Sequence, residues 1–184
     1  VQALPIFDGS TGWDLDDEAE TARLRATVDD ALRSTGADPD RVVLTGYSLG
    51  GMMALVAVCD APDRWAGVAL VAGAMETSLA GDCPAQPTPA LFFRGRADTA
   101  APWDGTRGTL SVPDMVDFWV AANDGEAAPE SESWPDRVPW DGSTATTHTY
   151  SGCQGGDVVL FDLADSRHAW PGSRDVAEGS TGIN

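Results

Sequence analysis

Lysine is absent from this sequence of 184 residues, histidine occurs twice and cysteine three times, and no apolar run reaches the length of a membrane span. The 11 basic residues, all arginine, face 29 acidic ones, which gives a formal net charge of −18. This negative field repels phosphate backbones and anionic lipids, so we expect neither nucleic acid nor a membrane surface as a partner. The missing lysine fits two explanations equally well, a GC-rich coding bias and an adaptation to high salt.

Because cysteine is scarce and odd in number, the three residues cannot all pair within one chain. Cys59 is predicted to end a helix and Cys83 lies in a loop rich in glycine and proline, so this pair is the predicted disulfide. Cys153 is then left over, with structural burial as its default role. No CxxC or HxxxH spacing indicates a metal site, and we expect no metal and no organic cofactor.

The sequence does contain a regular alternation of short β-type runs and helical segments, which is typical of a parallel sheet with crossover helices. We therefore predict one α/β domain over 1–184, with about five or six mostly parallel strands and helices on both faces. The segment 123–144, called the acidic excursion below, is predicted to be irregular and exposed. The predicted strands are Ala3–Phe7, Arg41–Thr45, Gly67–Val71, Ala90–Phe93, Thr144–Tyr150 and Val158–Leu163, and the predicted helices cover 16–34, 49–59 and 111–122.

The strongest chemical signal is the motif Gly46-Tyr47-Ser48-Leu49-Gly50, which matches G-x-S-x-G and lies between a predicted strand and a predicted helix. In that context the serine occupies a strained turn that raises its hydroxyl above the sheet, and the two glycines avoid side-chain collisions in the tight corner. The helix that follows points its N-terminus at the serine, so the N–H of Leu49 can stabilise an oxyanion. Ser48 is therefore the predicted nucleophile, and the alternative is a glycine-lined turn without chemistry.

A serine nucleophile needs a base that accepts its proton, and the two candidates are His148 and His168. His168 follows the predicted strand Val158–Leu163, at the end of a parallel strand where α/β folds build their sites. His148 lies within a threonine-rich strand pattern that favours a surface or core-edge role. His168 is therefore the predicted base.

The third group must be a carboxylate that orients the imidazole. Asp98 follows the predicted strand Ala90–Phe93 and lies between the serine and the histidine in chain order. Asp104 and Asp124 are rival candidates. We favour Asp98 because the serine, the aspartate and the histidine then each follow a separate predicted strand. This agreement is more specific than any single motif.

Three segments together resemble the polyhydroxybutyrate depolymerase/feruloyl esterase family of α/β-hydrolases: Gly46–Ala54, Arg94–Gly105 and Gly152–Gly172, the last of which contains His-Ala-Trp-Pro-Gly. The resemblance implies an α/β-hydrolase three-layer sandwich in which the serine, aspartate and histidine named above are nucleophile, acid and base. It also implies an extracellular, secreted enzyme that acts on polyesters, hydroxycinnamoyl esters or acetylated polysaccharides. The expected substrate is accordingly a small-molecule or polymeric ester, and a homo-oligomer is one option for assembly.

The chain departs from that family in three respects. Nothing in it matches the His-Gly loop that supplies the second oxyanion N–H, Arg94-Gly95 stands where His-Gly is usual, and the chain is short at both ends. Loss of one donor of an oxyanion hole costs about 10²–10³ in turnover. We therefore expect a full-strength enzyme to obtain a second donor from a substitute residue or from a partner chain.

Aromatic residues near the predicted triad are the candidates for binding the substrate. Tyr47 lies within the serine motif, and Trp103 and Trp170 flank the acid and the base, where they would form apolar walls for an acyl or aromatic group. Ordinary packing explains the two tryptophans equally well. Trp134 and Trp140 lie in the acidic excursion and are weaker candidates for a lid or a polymer-binding surface.

These signals together predict a serine carboxylesterase that hydrolyses neutral esters through an acyl-enzyme. Two alternatives stay open. A serine peptidase could use the same three residues, and a fragment that has lost part of its oxyanion hole could keep the triad and only bind.

Overall fold

The computed structural model of the protein describes residues 12–171, apart from residues 85, 127, 138, 141 and 153. The predicted strand Ala3–Phe7 and the left-over Cys153 lie outside the described residues. Within the described ranges, no helix has the length and apolar content that a membrane crossing requires.

Six strands form one sheet in the described part of the chain. They are β1 (Val43–Tyr47), β2 (Gly67–Val71), β3 (Ala90–Gly95), β4 (Glu130–Ser133), β5 (Ala145–Tyr150) and β6 (Val158–Leu163). Their order across the sheet is β1-β2-β3-β6-β5-β4. The first four in this order run parallel, and β5 and β4 are added antiparallel at one side. This mostly parallel sheet with helices confirms the α/β-hydrolase fold class, and it brings the carboxyl ends of β1, β3 and β6 to the same edge.

The described helices are α1 (Glu18–Thr35), α2 (Leu49–Asp60), α3 (Thr77–Asp82) and α4 (Val112–Ala122), with short 3-10 turns at 39–41 and 62–64. α1 begins where the Asp17 carboxylate accepts a hydrogen bond of 2.9 Å from the N–H of Ala19. It ends at Gly36, whose φ of 66° favours glycine. α4 begins in the same way, because the Ser111 hydroxyl accepts from the N–H of Asp114 at 3.1 Å. Side-chain caps therefore fix both helix starts.

The hydrophobic core lies between one face of the sheet and the helices α1, α2 and α4. Along β3, Ala90 and Phe92 are buried in this core, whereas Leu91 and Phe93 point to the other face and are half-buried. α4 contributes Trp119, which is 2% exposed. The strands that carry the predicted site residues are thus anchored by the main core.

Two parts of the chain are more regular than predicted. The predicted loop around Cys83, rich in glycine and proline, contains α3, and a disulfide joins Cys59 near the end of α2 to Cys83 just after α3. The acidic excursion contains β4, whose Ser131 pairs with His148 of β5. β4 has the sequence Glu-Ser-Glu-Ser and all four residues are exposed, so it lacks the apolar alternation by which a strand is predicted. The prediction of a wholly irregular excursion is corrected accordingly.

Candidate active site

The turn between β1 and α2 places Ser48 at a strained corner. Its backbone has φ 51° and ψ −123°, a conformation that costs a non-glycine residue about 1–3 kcal/mol. The N–H of Ser48 donates to the carbonyl of Val71 at 2.9 Å, which ties the corner to the neighbouring strand. A strained serine between a strand and a helix projects its hydroxyl above the carboxyl edge of the sheet.

The two glycines of the serine motif differ in how tightly they are packed. A Cβ built on Gly46 would lie 2.2 Å from the carbonyl oxygen of Gly50, so this backbone accepts only glycine at position 46. A Cβ built on Gly50 would lie 3.8 Å from the indole nitrogen of Trp13, which is an ordinary contact. The expectation that both glycines avoid a collision is therefore correct for Gly46 and wrong for Gly50.

Three side chains from three separate loops form one hydrogen-bonded chain. His168 Nε2 lies 2.8 Å from Ser48 Oγ, and His168 Nδ1 lies 2.9 Å from Asp98 Oδ2. Ser48 follows β1, Asp98 follows β3 and His168 follows β6, so the carboxyl ends of three parallel strands supply the site. In this arrangement Nε2 can take the serine proton while the carboxylate accepts a hydrogen bond from Nδ1–H.

Asp98 is held in a closed environment. Its side chain has no exposed surface, and Oδ1 accepts hydrogen bonds from the N–H groups of Ala100 and Ala101 at 2.9 and 2.8 Å. These bonds satisfy a buried carboxylate and direct its other oxygen to the imidazole. The side chain of His168 is 25% exposed. Exposure therefore increases from the buried acid to the base that contacts Ser48.

The rival acids lie in other surroundings. Asp104 is exposed, and Asp124 accepts a hydrogen bond from the side chain of Gln154 at 2.6 Å. Of the three candidates, Asp98 is the one placed against His168. Across the described residues, no group of three or more histidine, cysteine, aspartate or glutamate side chains could hold a metal ion.

The acid loop (96–104, after β3) and the histidine loop (164–171, after β6) are in backbone contact next to Gly95, the last residue of β3. A Cβ built on Gly95 would lie 2.2 Å from the carbonyl oxygen of Ser166, so only glycine permits this approach. The same carbonyl accepts a hydrogen bond from the N–H of Ala97 at 3.1 Å. Backbone contact therefore fixes the relative position of acid and base in addition to their own hydrogen bond.

Tyr47, predicted to bind substrate, contacts the histidine loop. Its hydroxyl donates to the backbone carbonyl of His168 at 2.9 Å, and the two rings lie 5.1 Å apart. Partial burial, with a smaller effect of the negative charge of Asp98, raises the pKa of the Tyr47 hydroxyl, so it stays a donor at neutral pH. Tyr47 thus helps to hold the base, and 38% of the residue remains exposed beside the site.

The tryptophans predicted to bind substrate differ in exposure. Trp170, two residues after the base, is 46% exposed. Trp103 packs against the core, and the guanidinium of Arg96 lies 4.0 Å from its ring centroid, so one face of that ring is occupied. In the acidic excursion, Trp134 and Trp140 are 50% and 86% exposed. Of the tryptophans that flank the acid and the base, Trp170 therefore leaves more apolar surface open.

His148 lies in a second group of a serine, a histidine and an aspartate, on β4, β5 and β6. Ser131 Oγ is 2.8 Å from His148 Nδ1, and His148 Nε2 is 3.7 Å from Asp162 Oδ2. Asp162 also accepts three hydrogen bonds of 2.7–3.1 Å from Arg96. These side chains belong to the body of the sheet, and Ser131 is exposed on its edge strand.

The start of α2 provides a donor for a developing negative charge. The first N–H groups of a helix have no partner within the helix, and the N–H of Leu49 directly follows the serine. Gly12 and Trp13 lie against this turn, because a Cβ on Gly12 would come within 2.9 Å of the Leu49 side chain. Gly12 and Trp13 could not be assigned to the site from the sequence, because they do not match the His-Gly pattern of the resembled family.

Sequence reasoning also missed the role of a buried arginine. Arg94 is 1% exposed and donates from Nη2 to the carbonyl of Ala101 at 2.8 Å and from Nη1 to the carbonyl of Gly73. Burial lowers the pKa of its guanidinium, the charge of Asp98 opposes this effect, and the group stays protonated. The available signal was Arg94-Gly95 at a position where the resembled family has His-Gly.

The sequence is similar to those of esterases. A family model described as "Putative esterase" matches residues 3–154. Among curated proteins the chain is similar to "Putative esterase NocK" from Nocardia uniformis subsp. tsuyamanensis, with 31% identity over 195 residues. This match covers 92% of the chain and 57% of NocK, so the chain spans little more than half the length of that relative.

Solved esterase structures share the fold. Acetyl xylan esterase from Aspergillus awamori matches with a TM-score of 0.58 and 16% identity, over 85% of this chain and 68% of that one. Esterase PE8 matches with a TM-score of 0.52 and 19% identity, over 85% and 60%. At such identities the likeness establishes the α/β-hydrolase fold, while chemistry has to be argued from the site. Because the family model matches most of its length, the chain belongs to the family described as Putative esterase.

Proposed function

We propose that the chain is the catalytic part of a serine carboxylesterase, with Ser48 as nucleophile, His168 as general base and acid, and Asp98 as the group that orients the histidine. The observation that carries the proposal is the continuous hydrogen-bonded chain from Ser48 Oγ through the imidazole to Asp98 Oδ2, with links of 2.8 and 2.9 Å. Membership of an esterase family supports the same conclusion.

In the first half of the reaction, Ser48 Oγ attacks the carbonyl carbon of the ester and its proton moves to Nε2 of His168. Negative charge then develops on the carbonyl oxygen, which we place at the N-terminus of α2 within reach of the Leu49 N–H. The intermediate collapses when the bond to the alkoxy oxygen breaks, and the imidazolium gives its proton to the leaving alcohol. Asp98 keeps its charge and stabilises that imidazolium.

Water resolves the acyl-enzyme in the second half. His168 takes a proton from the water while its oxygen attacks the acyl carbon, and the oxyanion again faces the Leu49 N–H. The bond to Ser48 Oγ breaks, the serine regains its proton from the imidazolium, and the carboxylic acid leaves.

The substrate that we propose is a neutral ester with an apolar acyl or aromatic group. The net charge of −18 disfavours polyanions. Tyr47 and Trp170 expose aromatic surface beside the site. The finer resemblance to polyhydroxybutyrate depolymerases and feruloyl esterases stays a prediction, as does the acetyl-polysaccharide substrate.

An extracellular location belongs to the same proposal. The disulfide between Cys59 and Cys83 supports it, because disulfides persist mainly in oxidising compartments. Retention of this disulfide in protein purified from the culture medium, measured by mass spectrometry without reductant, is the expected observation.

The test combines a fluorophosphonate probe with hydrolysis of p-nitrophenyl acetate. We expect the probe to label Ser48 in the folded wild-type chain, and Ser48→Ala to abolish labelling and to lower kcat by about 10⁴-fold or more. Ser131→Ala is the matched control, since Ser131 also lies beside a histidine. It should keep labelling and activity.

Three outcomes would count against the proposal or refine it. Failure of the probe to label folded wild-type protein would overturn it in favour of a fragment that only binds. Cleavage of peptide anilides without hydrolysis of p-nitrophenyl acetate would favour a peptidase. If the esterase is active, a panel of ferulate, acetyl-xylan and hydroxybutyrate esters identifies the acyl group.

A further inference from the structure

We propose that Arg94 is a positioning residue of this site, whose guanidinium clamps the acid loop to the backbone behind the nucleophile. The inference rests on the proposed function, because it deepens the account of the same site. It concerns a side chain that touches neither the substrate nor the reacting atoms.

The clamp has two ends. Gly73, whose carbonyl accepts from Arg94 Nη1, lies directly behind the serine corner, since a Cβ on Gly73 would be 3.4 Å from the Ser48 carbonyl oxygen. Ala101, whose carbonyl accepts from Nη2 at 2.8 Å, donates its own N–H to Asp98 Oδ1 at 2.8 Å. One guanidinium therefore joins the support of the nucleophile to the support of the acid.

Arginine has the geometry that this clamp requires. Its planar fork directs two nitrogens to two carbonyls on different loops, whereas lysine offers one nitrogen and cannot span both. At 1% exposure, the side chain bears a large desolvation cost that only good partners offset. Two carbonyls accept from Nη1 and Nη2 of Arg94, whereas its Nε has no hydrogen-bond partner within the described part of the chain.

The experiment compares Arg94→Met, which removes both arms of the clamp, with Arg94→Lys, which keeps one arm. Arg64→Met is the matched control, because Arg64 is a half-buried arginine paired with Asp29 away from the triad. The readouts are kcat and KM for p-nitrophenyl acetate, and the low-field proton NMR signal of the imidazole N–H that faces Asp98. The chain has two histidines, so His168→Ala identifies that signal.

We expect Arg94→Lys to lower kcat by about 10-fold and Arg94→Met by about 10²-fold, with KM nearly unchanged. The low-field signal should weaken in both variants. Arg64→Met should match the wild type in every readout.

Wild-type kcat and an unchanged low-field signal in Arg94→Met would overturn the clamp. If Arg94→Met does not fold, the same two readouts in Arg94→Lys decide, and wild-type values there would overturn the clamp. If neither folds, Arg94 serves only the core and the inference fails.

The failure of this inference can be told apart from failure of the esterase proposal. If the fluorophosphonate labels the wild type but all arginine variants behave alike, Arg94 is no positioning residue and the esterase proposal survives. If the wild type is not labelled but its low-field signal depends on Arg94, the positioning role survives and the esterase proposal fails.

Discussion

The triad candidates Ser48, His168 and Asp98 can be compared with a second serine, histidine and aspartate that lie on β4, β5 and β6. In both sets the serine oxygen lies 2.8 Å from a ring nitrogen of the histidine. On the other side of the ring, the carboxylate lies 2.9 Å from His168 but 3.7 Å from His148. Residue types and serine distances alone therefore do not separate the two sets.

Their surroundings do separate them. Ser48 occupies a strained corner at the start of α2, whereas Ser131 lies on an exposed edge strand. Asp98 is enclosed and held by two backbone N–H groups, whereas Asp162 is engaged by the guanidinium of Arg96. A site for nucleophilic catalysis therefore depends on where the backbone places the serine and on how the acid is held.

Replacing Asp98 and Asp162 in turn should show the largest difference between the two sets. Asp98→Asn should lower kcat for p-nitrophenyl acetate by about 10³–10⁴-fold, because an amide no longer fixes the imidazole tautomer or stabilises the imidazolium. Asp162→Asn should leave kcat unchanged, since its pair with the half-exposed Arg96 is worth at most about 1 kcal/mol. Equal losses in the two variants would mean that the second set also supports the reaction.

The contact between the acid loop and the histidine loop gives a second prediction, because the triad depends on it. Gly95→Ala should destabilise the protein by about 3 kcal/mol, since the new Cβ would lie 2.2 Å from the Ser166 carbonyl oxygen. Gly108→Ala is the control: a Cβ there meets nothing within 4 Å, and the change should stay within about 0.5 kcal/mol. Urea unfolding measures both, and equal midpoints would contradict the close approach.

The smallest expected effect concerns the tyrosine that holds the base. Tyr47→Phe removes a hydrogen bond to the His168 carbonyl worth about 1 kcal/mol, so kcat should fall by about five-fold. Because the pKa of the Tyr47 hydroxyl is raised, this factor should stay constant through the mildly alkaline range. Tyr150→Phe, which changes the other of the two tyrosines, should leave kcat unaltered. A change in KM alone would indicate that Tyr47 binds substrate instead.

Most of the regular structure could be predicted from local pattern. Strands Gly67–Val71 and Val158–Leu163 are found at the predicted bounds because their apolar runs are bordered by turn residues. β3 continues to Gly95, two residues past its predicted end, because Arg94 is buried on the core face where a sequence pattern expects an apolar residue. β4 carries no apolar alternation at all, so only pairing with β5 reveals it.

The predicted triad members could be chosen from the sequence because each follows a strand in the order of the motif. What holds them together could not be predicted, since it depends on contacts between residues far apart in the chain. The Tyr47 hydroxyl reaches a residue 121 positions away, and Arg94 reaches back 21 positions to Gly73. No local spacing encodes such distances.

The approach of Gly95 to the Ser166 carbonyl also limits how this protein can be recombined with its relatives. A loop taken from a relative with any side chain at position 95 would meet the histidine loop at 2.2 Å, so the recipient loop would have to shift. The two loops are therefore one module for grafting and directed evolution. Chimaeras should exchange 95–104 and 164–171 together, and libraries that vary one loop alone should enrich for glycine at position 95.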